Sequence, residues 1–281
     1  MTTSVRGADE VLDSPSTDSG IHEWRAGSFG AAAREYVQYR PTYPAAAICW
    51  GMTGSPGAPQ GCDPGSDPVA MSVPQVVDLG AGTGKLTGGL LLFGAQVVAV
   101  EPDERMRAET ARLFPPVRTL DGRAERIPLP DGSADAVFIG QALHCFDFDK
   151  SLWEIHRVLH RAGVVTALWN HNDDSVDWVA EFSRVAETTT ASRRWADASV
   201  DLPGHSGFTA FERRYFPNPQ RHTAQTLVRS VCTQSHLLLA AAEERRYRVE
   251  AMHELLASDD RTARGEFDLP MVTTVIRAVR R

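Results

Sequence analysis

The sequence predicts an α/β protein: a doubly wound, mostly parallel sheet with helices on both faces, followed by a helical cap. Three observations predict it. Apolar runs alternate with amphipathic stretches over residues 73–170, the run VVDLGAGTGKLT at 76–87 passes from an apolar strand through a glycine turn into a helix, and beyond Asn170 the alternation gives way to helical stretches.

Each element has a local reason. Residues 1–20 hold acidic side chains and lack the apolar segment of a secretion signal, so they read as a disordered tail. Within 21–50, SFGAAAREYVQYRPTYP offers Ser28 as a helix N-cap; the helix must stop at or before Arg40, because Pro41 disfavours helical geometry in the residue before it. YPAAAICWG follows as a second short helix with Pro44 near its start, and both are expected to act as a lid. Gly, Pro, Ser and Asp dominate 51–72, where no period survives; this is a flexible insertion.

In the core, strands are expected near 75–80, 96–101, 116–120, 135–140 and 163–169, with helices at 84–93, 103–113 and 147–160. Phe148, Leu152, Ile155 and Leu159 recur at helical spacing and belong against the sheet. Residues 171–281 should supply cap helices at 175–189, 222–232 and 239–257 and the final two strands of the sheet, one at 212–216 and one in FDLPMVTTVIRAVRR. Trp178, Trp195, His205 and His222 fall in this cap and receive no role. His156 and His160 stand at i, i+4 with no Glu placed to join them, so they read as surface residues and no metal is expected.

Composition narrows the function. The chain of 281 residues is 42% hydrophobic and 23% charged, ordinary for a soluble globular protein, and its net charge of -7 comes without any basic run. A polyanionic partner would meet repulsion where it needs counterion release, which argues against nucleic acid. No window is long and apolar enough for a bilayer. Cys49, Cys62, Cys145 and Cys232 form no CxxC pair, so reduced thiols in a cytoplasm are expected.

The glycine turn is the first sign of chemistry. In a doubly wound sheet, ligands sit beyond the carboxyl ends of the strands where the strand order reverses. Gly80, Gly82 and Gly84 give G-x-G-x-G, and Lys85 stands where a dinucleotide fingerprint needs its third glycine, so the spacing argues against NAD. Glu101 ends the next strand, VVAVE, about twenty residues on, where a carboxylate can accept hydrogen bonds from ribose hydroxyls. Both a nicotinamide dinucleotide and an S-adenosyl compound carry that ribose.

VVDLGAGTGKLT, VVAVEPDERM, GRAERIPLPDGSADAVFIGQALHCFD and EIHRVLHRAGVVTALWN together resemble the class I S-adenosylmethionine-dependent methyltransferases, and the RPTYP at 40–44 is similar to a segment of the trans-aconitate methyltransferase-like group. The resemblance covers about 29–170 strongly and the last third in outline. It implies a Rossmann-like, seven-stranded sheet and S-adenosyl-L-methionine as cofactor. Asp78 with the backbone from Gly80 to Gly84, Ala81 and Gly82 included, would hold the methionine end, and Glu101 the ribose. Pro102 and Asp103 would flank the adenine, approached from the other side by Ala124 and Glu125, while Gln141 would lie beside the sulfonium through its main chain. Two departures stand out: Arg123 replaces a common Asp, and Cys145 replaces the Trp of an H-W-F-D segment.

The implied function is methyl transfer to an O, N or C atom of a small organic molecule. GQAL after the fourth strand lacks the NPPY-like tetrapeptide of nucleic-acid amino methyltransferases. His144 is the candidate general base, since it follows the fourth strand on the ligand side. Arg40 is the candidate partner for the cofactor carboxylate or for an acidic substrate. A nicotinamide-dependent oxidoreductase and a cofactor-binding protein without turnover are the alternatives. Oligomeric state leaves no pattern in the sequence.

Overall fold

The computed structural model describes residues 40–53, 73–186, 204–238 and 240–281. The expected tail at 1–20, the lid helix ahead of Arg40, residues 54–72 of the insertion expected at 51–72, and Trp195 lie outside them, whereas Gly51 and Met52, expected in that insertion, end a helix.

Strand β1 (Gln75–Leu79) is the apolar run ahead of the glycine turn, and all but its first residue are buried. Such a run fits a central strand covered on both faces. Helix α1 (Ala45–Met52) precedes it, starting directly after Pro44. Then follow α2 (Lys85–Leu92), β2 (Gln96–Val100), α3 (Glu104–Leu113), β3 (Arg118–Leu120) and β4 (Ala134–Gly140). A single 3-10 turn, Leu143–Cys145, leads to α4 (Phe148–Val158) and the long β5 (Leu159–Asn172). The cap then contributes α5 (Asp177–Val185), β6 (Glu212–Pro217), β7 (Gln220–Thr223), α6 (Ala224–Cys232), α7 (Ser235–Leu238) and α8 (Ala242–Ser258). The chain closes with β8 (Glu266–Leu269) and β9 (Met271–Val279).

Helix starts follow local chemistry. Asp103 caps α3 by accepting from the Arg105 and Met106 amides, and Asp147 caps α4 through Lys150. Thr223 and Thr226 form a reciprocal capping box on α6.

The seven-stranded sheet runs β3-β2-β1-β4-β5-β9-β6. β1 to β5 are mutually parallel, whereas β9 is antiparallel to both β5 and β6. The order reverses between β1 and β4, which places the expected crevice at the carboxyl ends of those two strands. The expected α/β class, the seven strands and the helices covering them are all present.

Two cores sandwich the sheet. On one face Leu152, Ile155 and Val158 of α4 meet Val137, Trp169 and Phe208. On the other, Ile48 and Met52 of α1 and Leu86 and Leu90 of α2 meet Phe138 and Leu168. A third cluster lies inside the cap, where Trp178 packs edge-on to Phe267 with ring centroids 5.8 Å apart and is core, with Phe182, Leu227 and Met252 around it.

Three expectations need correction. His160 does not share a helix face with His156: α4 ends at Val158 and His160 lies in β5. The two-stranded ribbon of β7 and β8 was not foreseen, because each strand is only four residues long, too short for its pattern to stand out. Cys49 is disulfide-bonded, while Cys145 and Cys232 form no disulfide; spatial approach governs a disulfide, whatever the sequence spacing. Among the described residues no helix is long and apolar enough to cross a membrane.

Helix α1 seats on the sheet through a bare backbone. A Cβ at Gly51 would stand 2.6 Å from Thr166 Cγ2 and 3.0 Å from Phe138 Cε1, and the Gly51 carbonyl accepts from the buried Thr166 hydroxyl at 2.7 Å. Gly51→Ala is therefore expected to cost about 1–3 kcal/mol by overpacking. Urea unfolding reads this as a lower midpoint; an unchanged midpoint would mean that α1 does not seat there.

Candidate functional site

Three glycines shape the turn after β1. Gly80, Gly82 and Gly84 all have positive φ (69°, 59° and 83°), a region glycine enters without strain. The Gly80 and Ala81 amides both donate to Val100 O, at 2.8 and 3.2 Å, so the turn curls over the end of β2. A Cβ at Gly80 would collide with Ala142 Cβ at 2.8 Å, which shows how closely the loop after β4 approaches. At Gly82 a Cβ would meet only Met106 Sδ, at 3.7 Å. The turn is thus closed on one side and open on the other.

Glu101 binds this turn to the next strand. Its Oε2 accepts the Gly82 amide and its Oε1 the Asp103 amide, each at 2.9 Å, and the residue is 8% exposed. Burial pushes its carboxyl above the ordinary range, while those two amides and Arg107 pull it back down. A carboxylate oxygen has two acceptor sites, so each oxygen has capacity for one further donor. Thr110 Oγ1 donates to Gly82 O at 2.8 Å, and Arg107 donates to the carbonyls of Glu101 and Pro102 at 2.7 and 3.0 Å.

Asp78, fully buried at the end of β1, accepts from Thr87 Oγ1 at 2.5 Å through Oδ2. Its Oδ1 and the Thr83 hydroxyl are buried with no hydrogen-bond partner among the described residues. Desolvation, aided by the nearby charge of Glu101, raises its pKa to about 7. Ala124 is buried in the core cluster that includes Val100. Glu125 accepts from the Asp147 amide at 2.8 Å.

A cavity of about 100 Å³ opens between the carboxyl end of the sheet and the cap. Gln141, Asn170 and Asn172 line it from the strand ends, and Arg40 and Pro41 from the N-terminal segment. The cap adds His222 from β7, Ser230 from α6 and an apolar wall of Phe182, Leu227 and Val231. Gln141 enters with φ 58° and donates from its side chain to Asn170 O at 2.9 Å. The N-terminal segment is pinned here: Asn170 and Asn218 both donate their side-chain amides to Thr42 O, at 3.0 and 2.9 Å. Thr273 holds the Asn170 carbonyl oxygen at 2.5 Å from the neighbouring strand. Arg40 reaches across to Thr233 O at 3.3 Å.

Hydrogen bonding therefore brings together Gly80, Ala81, Gly82 and Glu101, and the cavity brings together Gln141 and Arg40. His144 lies on the Leu143–Cys145 turn and is not among the residues lining the cavity. Asn170, Asn172 and Asn218 were not singled out from the sequence, and His222 was named there without a role. Asn170 alone had a signal, since it stands at the carboxyl end of a core strand.

Residues 77–167 match the model of a family described as a methyltransferase domain. An uncharacterised methyltransferase of Mycobacterium tuberculosis is 34% identical over 252 residues, covering 89% of this chain and 95% of that one. An uncharacterised methyltransferase of Schizosaccharomyces pombe is 32% identical over 181 residues, covering 63% and 70%. Among solved structures, a proposed type II methyltransferase from Anaeromyxobacter dehalogenans shares the fold, with a TM-score of 0.59, 22% identity and coverage of 86% and 98%.

The folded chain keeps the Asp78 proton at pH values where the unfolded chain, with a carboxyl near 3.8, has lost it. The stability tied to this proton is fully present below about pH 4 and is lost as pH rises through about 7. Asp78→Asn is expected to melt several degrees above wild type at pH 8, with the gain vanishing near pH 4. A lower melting temperature at pH 8 would contradict this.

Proposed function

Because the chain belongs to the class I S-adenosylmethionine-dependent methyltransferases, we propose that it transfers a methyl group to an O, N or C atom of a small organic molecule seated in the cavity beside Gln141. The observation that carries the reading is Glu101. Its buried carboxylate directly follows β2, is held by the Gly82 and Asp103 amides, and keeps acceptor capacity for further donors beside the glycine turn.

The residues present fit the cofactor. S-adenosyl-L-methionine, when bound, supplies a methyl group already activated on a sulfonium. Glu101 would hold the two ribose hydroxyls. The bare backbone at Gly80, Ala81 and Gly82 permits close approach of the amino-acid end, where the orphaned Asp78 Oδ1 offers an acceptor to an ammonium group. Pro102 would flank the adenine, with Ala124 and Glu125 approaching it from the other side. Gln141 lines the cavity at the strand end where methyl donor and acceptor must meet.

What the protein contributes is alignment and exclusion of water. Asn170 and Asn218 contribute by holding the 40–44 segment over the cavity, with Arg40 presented to a carboxylate of the cofactor or of the acceptor. The nicotinamide alternative loses its support with family membership and with Lys85 at the third glycine position. A cofactor-binding protein without turnover differs from the enzyme in one measurable respect, the appearance of methylated product.

Glu101→Ala removes charged hydrogen bonds worth about 1.5–3 kcal/mol. It is expected to weaken S-adenosylhomocysteine binding by about tenfold or more in calorimetric titration. Wild-type affinity in the variant would remove the ribose role.

A further inference from the structure

Resting on the methyl-transfer reading, we propose that the side-chain oxygen of Gln141 selects the acceptor. It takes a hydrogen bond from the O–H or N–H that is to be methylated, so the substrate is a protic nucleophile: an alcohol, a phenol or a neutral N–H compound.

Position comes first. Gln141 directly follows β4 and lines the cavity. The next residue, Ala142, is the one that a Cβ on Gly80 would strike, at 2.8 Å. Gln141 therefore stands between the glycine turn, where the amino-acid end of the cofactor is placed, and the space left for the acceptor.

Its backbone is held against its own preference. Gln141 has φ 58°, in the left-handed region that a residue with a Cβ enters at a cost. β5 fixes it at two points: the Gln141 amide donates to Leu168 O at 2.8 Å, and Nε2 donates to Asn170 O at 2.9 Å. Leu168 is paired on both sides within the sheet, and the Asn170 side chain is tied to Thr42, Asn218 and Thr273. A strained residue that its surroundings over-determine in this way is one whose placement serves function.

The same bonds fix which way the amide faces. Asn170 O is a main-chain carbonyl and can only accept, so the group beside it is the nitrogen; exchanging the amide oxygen and nitrogen would set two acceptors together. The nitrogen is thereby anchored on β5. Oε1, to which nothing among the described residues donates, is the acceptor left for a ligand.

A fixed amide oxygen recognises a donor, and a nucleophile that still carries its hydrogen offers one. In the reaction the lone pair of the acceptor oxygen or nitrogen forms the bond to the methyl carbon, and the methyl–sulfur bond breaks with its electron pair leaving on sulfur. The hydrogen held on Gln141 Oε1 departs as a proton to water, since an amide is too weak a base to keep it. A carboxylate, a thioether, a tertiary amine or a carbon nucleophile has no such hydrogen to offer, and a carboxylate oxygen would meet Oε1 as a second acceptor.

The test uses the full chain, methyl-tritiated S-adenosylmethionine and a deproteinised small-molecule extract as the acceptor source. With wild-type protein the label is expected in products that survive alkali, carry no permanent positive charge and release methyl iodide in hot hydriodic acid. Gln141→Ala is expected to lose about tenfold of that rate, with S-adenosylhomocysteine affinity, which the main chain here serves, unchanged. Gln141→Glu is expected to be slow at neutral pH, and its rate relative to wild type should rise on acidification. Only the neutral carboxyl can donate to Asn170 O while keeping an oxygen for the acceptor, and it does so without the second N–H of the amide. The inference is overturned by label released as methanol in alkali, which marks a carboxylate acceptor, by a permanently cationic product, which marks a thioether or tertiary amine, or by label that hydriodic acid leaves on carbon. A wild-type rate in Gln141→Ala, or a Gln141→Glu rate that gains nothing relative to wild type in acid, overturns it equally. No label with the wild-type chain would overturn the methyl-transfer reading as well.

Discussion

The ligand-binding edge of this protein depends on a buried carboxylate that bridges two main-chain amides. Glu101 ties the turn after β1, through Gly82, to the start of α3, through Asp103. Removing a carboxylate from water is costly, and the two amides offset that cost. They also fix the geometry: the glycine turn is neither a free loop nor a stretch of helix, since Val100 O takes two of its amides and Thr110 takes the Gly82 carbonyl. The acid's position at a strand end is itself set by sheet register, with Leu79 opposite Val100.

A second network does for the cavity what Glu101 does for the turn. Asn170, at the end of β5, receives hydrogen bonds from Thr273 on β9 and from Asn218 beyond β6, and passes one on to Thr42 O. Strands from three parts of the chain thereby hold one N-terminal carbonyl. Because that carbonyl belongs to the segment carrying Arg40, the wall of the cavity is coupled to sheet packing and does not rest on a lone surface contact.

Most of the core was legible in the sequence, because its strands are buried on both faces and read as apolar runs ended by Gly, Asp or Glu; β1, β2, β4 and the helices capped by Asp103 and Asp147 fall within a few residues of expectation. The cofactor side was legible for the same reason, since a turn and an acid at a strand end are local signals. The acceptor side was not. His222 enters the cavity only because β7 pairs with β8, which lies more than forty residues later in the chain. Asn218 acts through Thr42, 176 residues away. Neither has a neighbour pattern that announces its partner, and the ribbon strands, at four residues each, are too short to stand out.

The placement of β9 between β5 and β6 has a consequence for biogenesis. β6 touches the seven-stranded sheet solely through a strand that is translated more than fifty residues after it. During synthesis on the ribosome the parallel half can assemble early, yet its β5 edge must stay exposed until residues 271–279 emerge. Nascent chains stalled before that point would carry an uncovered apolar strand border, the kind of surface that chaperones recognise and that invites mispairing between neighbouring polypeptides.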